Sequence, residues 1–561
     1  MIEKYRQTRI LLTPLLVLLW LAPLQAEQPG QRSLAPVTTL QSLLLSGENL
    51  ALTPTPDWAL LRQVYRERPE PLLWHAPTGE LSDAGLALLQ FILEIDRHGL
   101  ERRSYHLDNL GNPLLTRAQR IARNDLLLSD GFLRLARHLA RGEVDPDSVD
   151  PLWKIPRETV DAGALLRQAL ERQNPVAVLE SLAPQSEEYR KLQQALAEYR
   201  EMADQAPWSK LPPAPLIRPG DRHPLIPLLR RRLAASGHLL NGDSDEPKLY
   251  DPLLQATVES FQRQHGLKAD AIIGPDTRAA LNVTPQQRAA QIRANLERWR
   301  WLPPQLGDRY LLVNIGGYRV QLVENGQVRM EKRAIIGRPM RSTPSFSTRV
   351  THLVANPTWT VPWRIAVEDL LPEQKRDSEY LLRKNIQVQQ QVEDGWVDLD
   401  PAMVDWTSYN RYHFPFRLRQ APGDGNSLGR IKFHMPNPYS IYLHDTPAQS
   451  LFQHPVRDFS SGCVRVEEIG DLADHLYNRN TETQQLQPLG DILNARQPRY
   501  LKLENPIDVF LVYFTSWVDL KGTTQFRPDI YNLDAPLTLA LQQLHRAPGA
   551  QLAYRENRSR D

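Results

Sequence analysis

Residues 440–467, Ser440-Ile441-Tyr442-Leu443-His444-Asp445-Thr446-Pro447 through Arg457-Asp458-Phe459-Ser460-Ser461-Gly462-Cys463-Val464-Arg465-Val466-Glu467, hold the only cysteine of a 561-residue chain. The run from Ser440 to His444 alternates small or aromatic with apolar residues, which predicts a strand that ends with His444 at the rim of a sheet. Asp445-Thr446-Pro447 then has turn chemistry, and Arg457–Gly462 is a polar loop whose glycine permits close backbone approach. Cys463 therefore falls where a loop enters a short strand or helix, a junction at which backbone N–H groups are free to face a developing oxyanion. A thiol is only a few per cent ionised at neutral pH, so a nucleophilic cysteine needs a base or cation beside it. His444 lies far enough upstream for the chain to loop out and return. A lone cysteine is ordinarily a small buried apolar residue. The Ser-Ser-Gly and Val-Arg-Val flanks are not a core pattern, because Arg465 would be buried beside the thiol.

Working toward the N-terminus, Met1–Arg9 carries Lys4, Arg6 and Arg9, and the apolar Ile10–Leu24 follows, with Leu24-Gln25-Ala26 offering a small residue for cleavage. This predicts a secretory signal peptide at 1–26, the alternative being an uncleaved anchor in the membrane; the apolar run is shorter than the ~20 residues that span a bilayer. Its removal would take Lys4, Arg6, Arg9 and Glu3 and leave the chain formally neutral from a starting net charge of +2. No nucleic-acid or strongly anionic partner is implied. In an oxidising compartment a single cysteine has no internal disulfide partner, which sharpens its meaning as a reactive group.

Length implies several domains. Residues 27–57, rich in Pro, Gln, Ser and Thr, predict a linker. A helical scaffold domain is expected over 58–206, with apolar faces in Leu81–Arg97 and Asn124–Ala140; Glu143–Pro146 and Trp153 show no paired chemistry. A Pro-rich linker follows at 207–223. A compact three-helix unit occupies 224–283, a connecting helix 284–307, and a strand-rich region 308–520. That region opens with Tyr310–Ile315 and Tyr318–Glu324 about Gly316-Gly317, then Asn325-Gly326 as a two-residue hairpin turn, and continues through Trp359–Val361. An insertion is expected at about 372–426, with the aromatic cluster Trp406, Tyr409, Tyr412, Phe414 and Phe416, and a C-terminal extension covers 521–561. The fold class is multidomain α+β.

Two resemblances carry function. His444 followed by Ser460-Ser461-Gly462-Cys463-Val464-Arg465 resembles the active-site signature of the L,D-transpeptidase catalytic domain, a histidine and then Ser/Thr-x-Gly-Cys-x-Arg. Asp445 stands where many members have glycine, and Ser461 where many have a second histidine; both departures are similar to the large Gram-negative branch with an inserted capping segment. They leave a backbone carbonyl near Asp445 or Ser461 as the expected orienter of the imidazole. Phe261-Gln262, Gly266-Leu267, Gly274-Pro275, Thr277 and Leu281 resemble the peptidoglycan-binding three-helix module, with Ala271 where a glycine often stands. Wall-glycan binding or structural docking are both open for it.

The resemblance implies an exported, periplasmic enzyme that forms 3→3 peptidoglycan crosslinks from a stem tetrapeptide, with a diaminopimelate amine as acceptor and carbapenems as acylating agents. It implies Cys463 as nucleophile and His444 as base, with oxyanion or positioning roles for Tyr442, Gly462 and Ser461. Arg465 either meets a substrate carboxylate or braces the loop. No cofactor and no metal are expected, since His434, His444 and His454 are evenly spaced on a non-helical stretch without HExxH. Partners would be peptidoglycan stems and glycan, with peptidoglycan synthases possible. L,D-carboxypeptidase action, lipoprotein attachment to the wall and a non-catalytic wall-binding scaffold remain open.

Overall fold

The computed structural model describes residues 35–46, 52, 54–68, 70–76, 78–205, 208–238, 246–478 and 487–544. The expected signal segment and the charged tail 555–561 lie outside the described residues. The chain divides into two compact units, one of 1–143, 157–185 and 541–561 and another of 144–156 and 186–540.

The first unit is helical and is organised about Arg117–Arg141, which Thr116 starts with a capping box to Gln119. Two buried carboxylates in that helix tie loops to it. Asp125 accepts from the N–H of Leu73 (3.0 Å) and Trp74 (2.9 Å) and from the Tyr65 hydroxyl (2.6 Å), and Asp130 accepts from the Asp57 N–H (2.8 Å). The expected linker 27–57 is not wholly a linker: Ala35–Ser46 is a helix packed on Arg117–Arg141 with Leu40 buried. Leu40, Leu43 and Leu44 recur at helical spacing, a pattern that the surrounding Gln, Ser and Thr obscure.

The second unit takes in more of the chain than the sequence suggests. Glu187–Gln205, expected with the helical domain, packs along Pro285–Arg300 instead, and segment 144–156 is held there by the buried Glu297, which accepts from the Val144 N–H (2.8 Å). Glu297 is buried and needs donors, which ties segment 144–156 to it, and periodicity does not reveal that. The three-helix module Ile226–Ala235, Pro252–Gln264 and Pro275–Asn282 closes on Leu229, Leu233, Leu254, Val258, Phe261 and Leu281. Its signature residues are structural: Gln262 accepts from the Ala271 N–H (2.9 Å) and donates to the Ile272 carbonyl (3.1 Å) and the Thr277 hydroxyl (3.2 Å). Ala271 sits at φ 58°, which accounts for the glycine common at that position.

Eight strands form a closed barrel: β1 (Arg309–Asn314), β2 (Arg319–Glu324), β3 (Gln327–Ile335), β4 (Phe346–Ala355), β9 (Ile431–His434), β10 (Leu443–His444), β11 (Val464–Val466) and β12 (Arg499–Val512), in the order β1-β12-β4-β9-β10-β11-β3-β2. Asn325 and Gly326 both have positive φ, as the predicted hairpin turn between β2 and β3 requires. Between β4 and β9 the chain makes a separate four-stranded sheet of β5 (Trp359–Thr360), β6 (Ile386–Val392), β7 (Gly395–Leu399) and β8 (Phe416–Gln420), ordered β5-β8-β6-β7. Trp359 pairs with Gln420, so this cap begins near 357 and ends near 428, wider than the expected 372–426. Its neck is narrow: the Asn356 N–H donates to the Arg430 carbonyl (2.7 Å), and the Asn426 side chain donates to the Pro357 carbonyl (3.1 Å). Trp406, Tyr409 and Phe414 pack round Phe416 as a core of the cap, while Tyr412 is 89% exposed. Hairpin β13 (Ser516–Val518) and β14 (Thr524–Phe526) carries Phe526 against His265 of the three-helix module, whose ring is stacked between Phe261 (3.9 Å) and Phe526 (5.6 Å).

Candidate active site

Register decides which side chains meet. Leu443 lies opposite Phe433 and Val464, and all three are fully buried in the barrel. Strand alternation then sends the neighbouring positions outward, toward the cap: Lys432 beside His444, and His444 beside Arg465. Tyr442 and Cys463 extend the same face by one alternation each, and the Val464 N–H donates to the Tyr442 carbonyl (3.1 Å). Tyr442 packs against both the barrel core and the cap core.

The loop before Cys463 is pinned at its carbonyls. The Ser460 hydroxyl donates to the Cys463 carbonyl (2.6 Å) and accepts from the Gly462 N–H (3.1 Å), and the Thr343 hydroxyl donates to the Gly462 carbonyl (2.7 Å). Gly462 has φ +118°, a conformation that favours glycine, and Gly337 supports the loop from below, where a Cβ would lie 2.2 Å from the Arg341 carbonyl oxygen. Gly462 therefore positions the loop, and its N–H is already engaged. The Cys463 N–H has no acceptor among the described residues. Ser461 is exposed, and its hydroxyl accepts from Arg341 (2.8 Å).

Cys463 is half-buried. Its thiol donates to the Ser440 carbonyl (3.7 Å). Burial pushes the thiol above its ordinary range, against the pull of Tyr442, Lys432 and Arg465. His444 is 4% exposed, and its Nδ1 donates to the Asp445 carbonyl (2.5 Å), a backbone orienter of the expected kind. Burial, then the Arg465 charge, bring the imidazole down to about 3, with Lys432 adding to the fall and the Asp445 and Leu428 carbonyls opposing it. The ring is thus neutral at ordinary pH. The structure brings Cys463 and His444 onto one face of adjacent strands, yet the thiol donates to the Ser440 carbonyl, with no hydrogen bond between it and the imidazole. The Asp445 carboxylate is turned away, accepting from the Arg430 N–H (2.9 Å) and Gln449 (3.2 Å).

Three contributors escaped sequence reasoning. Lys432 shares the outward row, with its Nζ 3.8 Å from the Tyr442 ring centroid; the alternation of Ile431-Lys432-Phe433-His434 signals an outward lysine but not what stands opposite. Thr343 holds the loop. Arg341 joins that loop to the cap through Asp369 (2.5 and 2.8 Å), Glu368 (2.7 Å) and Ser461. His434 and His454 do not join His444: the first stacks on His352 (4.2 Å) and the second meets Phe459 (5.6 Å).

Comparison with known proteins finds three matched segments. Residues 59–196 match a family model described as "Scaffold domain", 222–281 one described as "Putative peptidoglycan binding domain", and 308–488 one described as "L,D-transpeptidase catalytic domain". A curated Haemophilus influenzae protein named "Putative L,D-transpeptidase" is 37% identical over 252 residues, which are 45% of this chain and 49% of that protein. The match thus spans about half of that relative's length. Among solved structures, an L,D-transpeptidase from Xylanimonas cellulosilytica is 15% identical and covers 54% of this chain and 100% of its own, with a TM-score of 0.18. One from Mycobacterium smegmatis is 12% identical and covers 36% and 58%, with a TM-score of 0.19. Neither likeness bears on the argument at those scores. Taken with the barrel and its Gly-Cys-x-Arg loop, the family matches make residues 308–488 an L,D-transpeptidase catalytic domain, set behind a peptidoglycan-binding domain and a helical N-terminal region.

Proposed function

We propose that the protein is an exported cysteine acyltransferase that joins peptidoglycan stems by 3→3 crosslinks in the periplasm. The single observation that carries this reading is the placement of Cys463, with an N–H that has no acceptor among the described residues, on the outward row with Tyr442 and His444. His444 takes the thiol proton, and sulfur attacks the carbonyl before the terminal D-residue of a stem tetrapeptide. Negative charge develops on the carbonyl oxygen, where the Cys463 N–H and the Tyr442 hydroxyl are the available donors. The C–N bond breaks, the imidazolium returns its proton to the departing amine, and a thioester remains. A diaminopimelate amine then attacks the thioester, gives its proton to the imidazole, and the thiol is restored. A carbapenem acylates the same sulfur. The three-helix module binds wall glycan in this reading, and its fixed seat on the β13–β14 hairpin keeps that contact at one distance from the thiol.

The test is mass spectrometry of wild type and Cys463→Ala with purified stem tetrapeptide dimers and with a carbapenem. A wild-type adduct with a new crosslinked product supports the proposal. An adduct accompanied only by shortened stems identifies a carboxypeptidase, and transfer to a lipoprotein lysine identifies an attachment enzyme. Absence of both adduct and product overturns the cysteine mechanism and leaves a wall-binding scaffold.

A further inference from the structure

We propose that Lys432, with Arg465 flanking the imidazole on the other side, is the carboxylate-recognition site of this centre and holds the carboxylate of the residue just beyond the scissile amide. The inference rests on the acyl-transfer reading of Cys463.

Lys432, His444 and Arg465 occupy one outward row on β9, β10 and β11. At about 5 Å per strand the backbones that carry the two cations stand roughly 10 Å apart, with that of His444 between them. Neither has an anionic partner among the described residues. Lys432 makes only its contact with the Tyr442 ring, and Arg465 keeps its Nε buried without an acceptor. Some enclosed arginines of this unit are paired with carboxylates, Arg298 with Asp534, Arg319 with Glu331 and Arg341 with Asp369, and others are met by main-chain carbonyls, as Arg457 is by Ala334 and Tyr318 and Arg527 by Gln264; Arg465 has neither among the described residues. The groups that face Lys432 are Tyr442 and His444 from β10, Cys463 just before β11, His434 on its own strand and His352 from β4, with Arg465 beyond the imidazole. None is a carboxylate; Asp445, next to His444 in the chain, is committed to Arg430 and Gln449, and Glu467, two residues beyond Arg465, to Arg333. Two half-buried cations without counter-ions are unfavourable unless an incoming anion completes them.

A carboxylate seated there also alters the base. It offsets the two charges that, with burial, hold the imidazole down, so His444 gains basicity when the correct donor is bound. Recognition and activation are then one event, and a diaminopimelate acceptor, whose amine is likewise α to a carboxylate, brings the same anion to that point when it attacks the thioester.

The test uses the full chain as wild type, Lys432→Gln and Lys432→Arg. Donor tetrapeptide with a free C-terminal carboxylate is compared with its C-terminal amide, and alkylation of Cys463 by iodoacetate is compared with iodoacetamide. The wild type is expected to favour the acid over the amide by roughly tenfold, on the scale of one charge-assisted contact. Lys432→Gln should collapse both preferences, with the loss for the peptide falling in KM more than in kcat, and Lys432→Arg should retain most of each. Comparing the two alkylating agents cancels changes in thiolate fraction. Unchanged preferences in Lys432→Gln, with Cys463 still alkylated by iodoacetamide, overturn the recognition site and leave the nucleophile standing. A Cys463 inert to both agents in the wild type overturns the nucleophile and this inference with it.

Discussion

Replacing His444 with glutamine should make the barrel less sensitive to acid. The imidazole is ordinarily half-protonated near 6.5 but is held at about 3 in the folded chain. A folded value below the unfolded one contributes stability that is fully present above about 6.5 and is lost as pH falls toward 3. At about 1.4 kcal/mol per unit the whole effect is on the order of 5 kcal/mol, of which about 2 kcal/mol disappears between pH 7 and pH 5. Hydrogen exchange read by mass spectrometry on peptides from β9 and β11, corrected for intrinsic rates, isolates this unit from the rest of a chain that does not unfold as one body. Opening free energies in wild type should drop by about 2 kcal/mol more than in His444→Gln over that interval. Equal drops would refute the reasoning, because an imidazole with an ordinary affinity for protons cannot have lost hydration as the structure implies.

Gly337→Ala would set a methyl 2.2 Å from the Arg341 carbonyl oxygen and 2.8 Å from the Thr343 nitrogen, both main-chain atoms, so the loop beneath Cys463 must shift. A loss of about 2–4 kcal/mol and slower alkylation of Cys463 are expected, read by urea midpoints and mass spectrometry. Arg341→Met removes the bonds to Asp369, Glu368 and Ser461. Faster proteolysis within 363–376 and quicker labelling of Cys463 by bulky thiol reagents should follow, with stability lower by about 1–3 kcal/mol. His265, stacked between Phe261 and Phe526, is held well below the ordinary imidazole range by burial and then by Arg288. The seat of the three-helix module should therefore loosen as pH falls, and His265→Phe should remove that dependence, measured by hydrogen exchange in Pro252–Gln264.

Local chemistry in the sequence revealed the parts that local forces build. The hairpin at Asn325-Gly326, the helices of the three-helix module and the entry of Cys463 into a strand all follow from turn residues and periodicity within a few positions. Pairings across long stretches of chain did not. β12 runs between β1 and β4 although its sequence lies far beyond both, and Lys432 faces His444 only because β9 and β10 share a register that no single strand encodes. The packing of Glu187–Gln205 along Pro285–Arg300 was equally hidden, since an amphipathic face shows that a helix is covered but not by what. At the site, residue identity pointed to Cys463, His444 and Tyr442, whereas Lys432, Thr343 and Arg341 reach it from strands and turns that lie far away in the chain.

The narrow neck of the cap has a topological consequence. β4 and β9 are antiparallel neighbours whose pairing runs from His352 opposite His434 to Ala355 opposite Ile431, and Asn356 closes the ladder on Arg430. The whole cap is therefore the tip of one β-hairpin, grown from a turn into a sheet with a core of its own. Because closing a loop grows only slowly more unfavourable with length, such a tip can lengthen, shrink or be exchanged while the two strands beneath it keep their register. Evolution, or a designer, can thus remodel what covers the thiol by editing a single turn of the barrel.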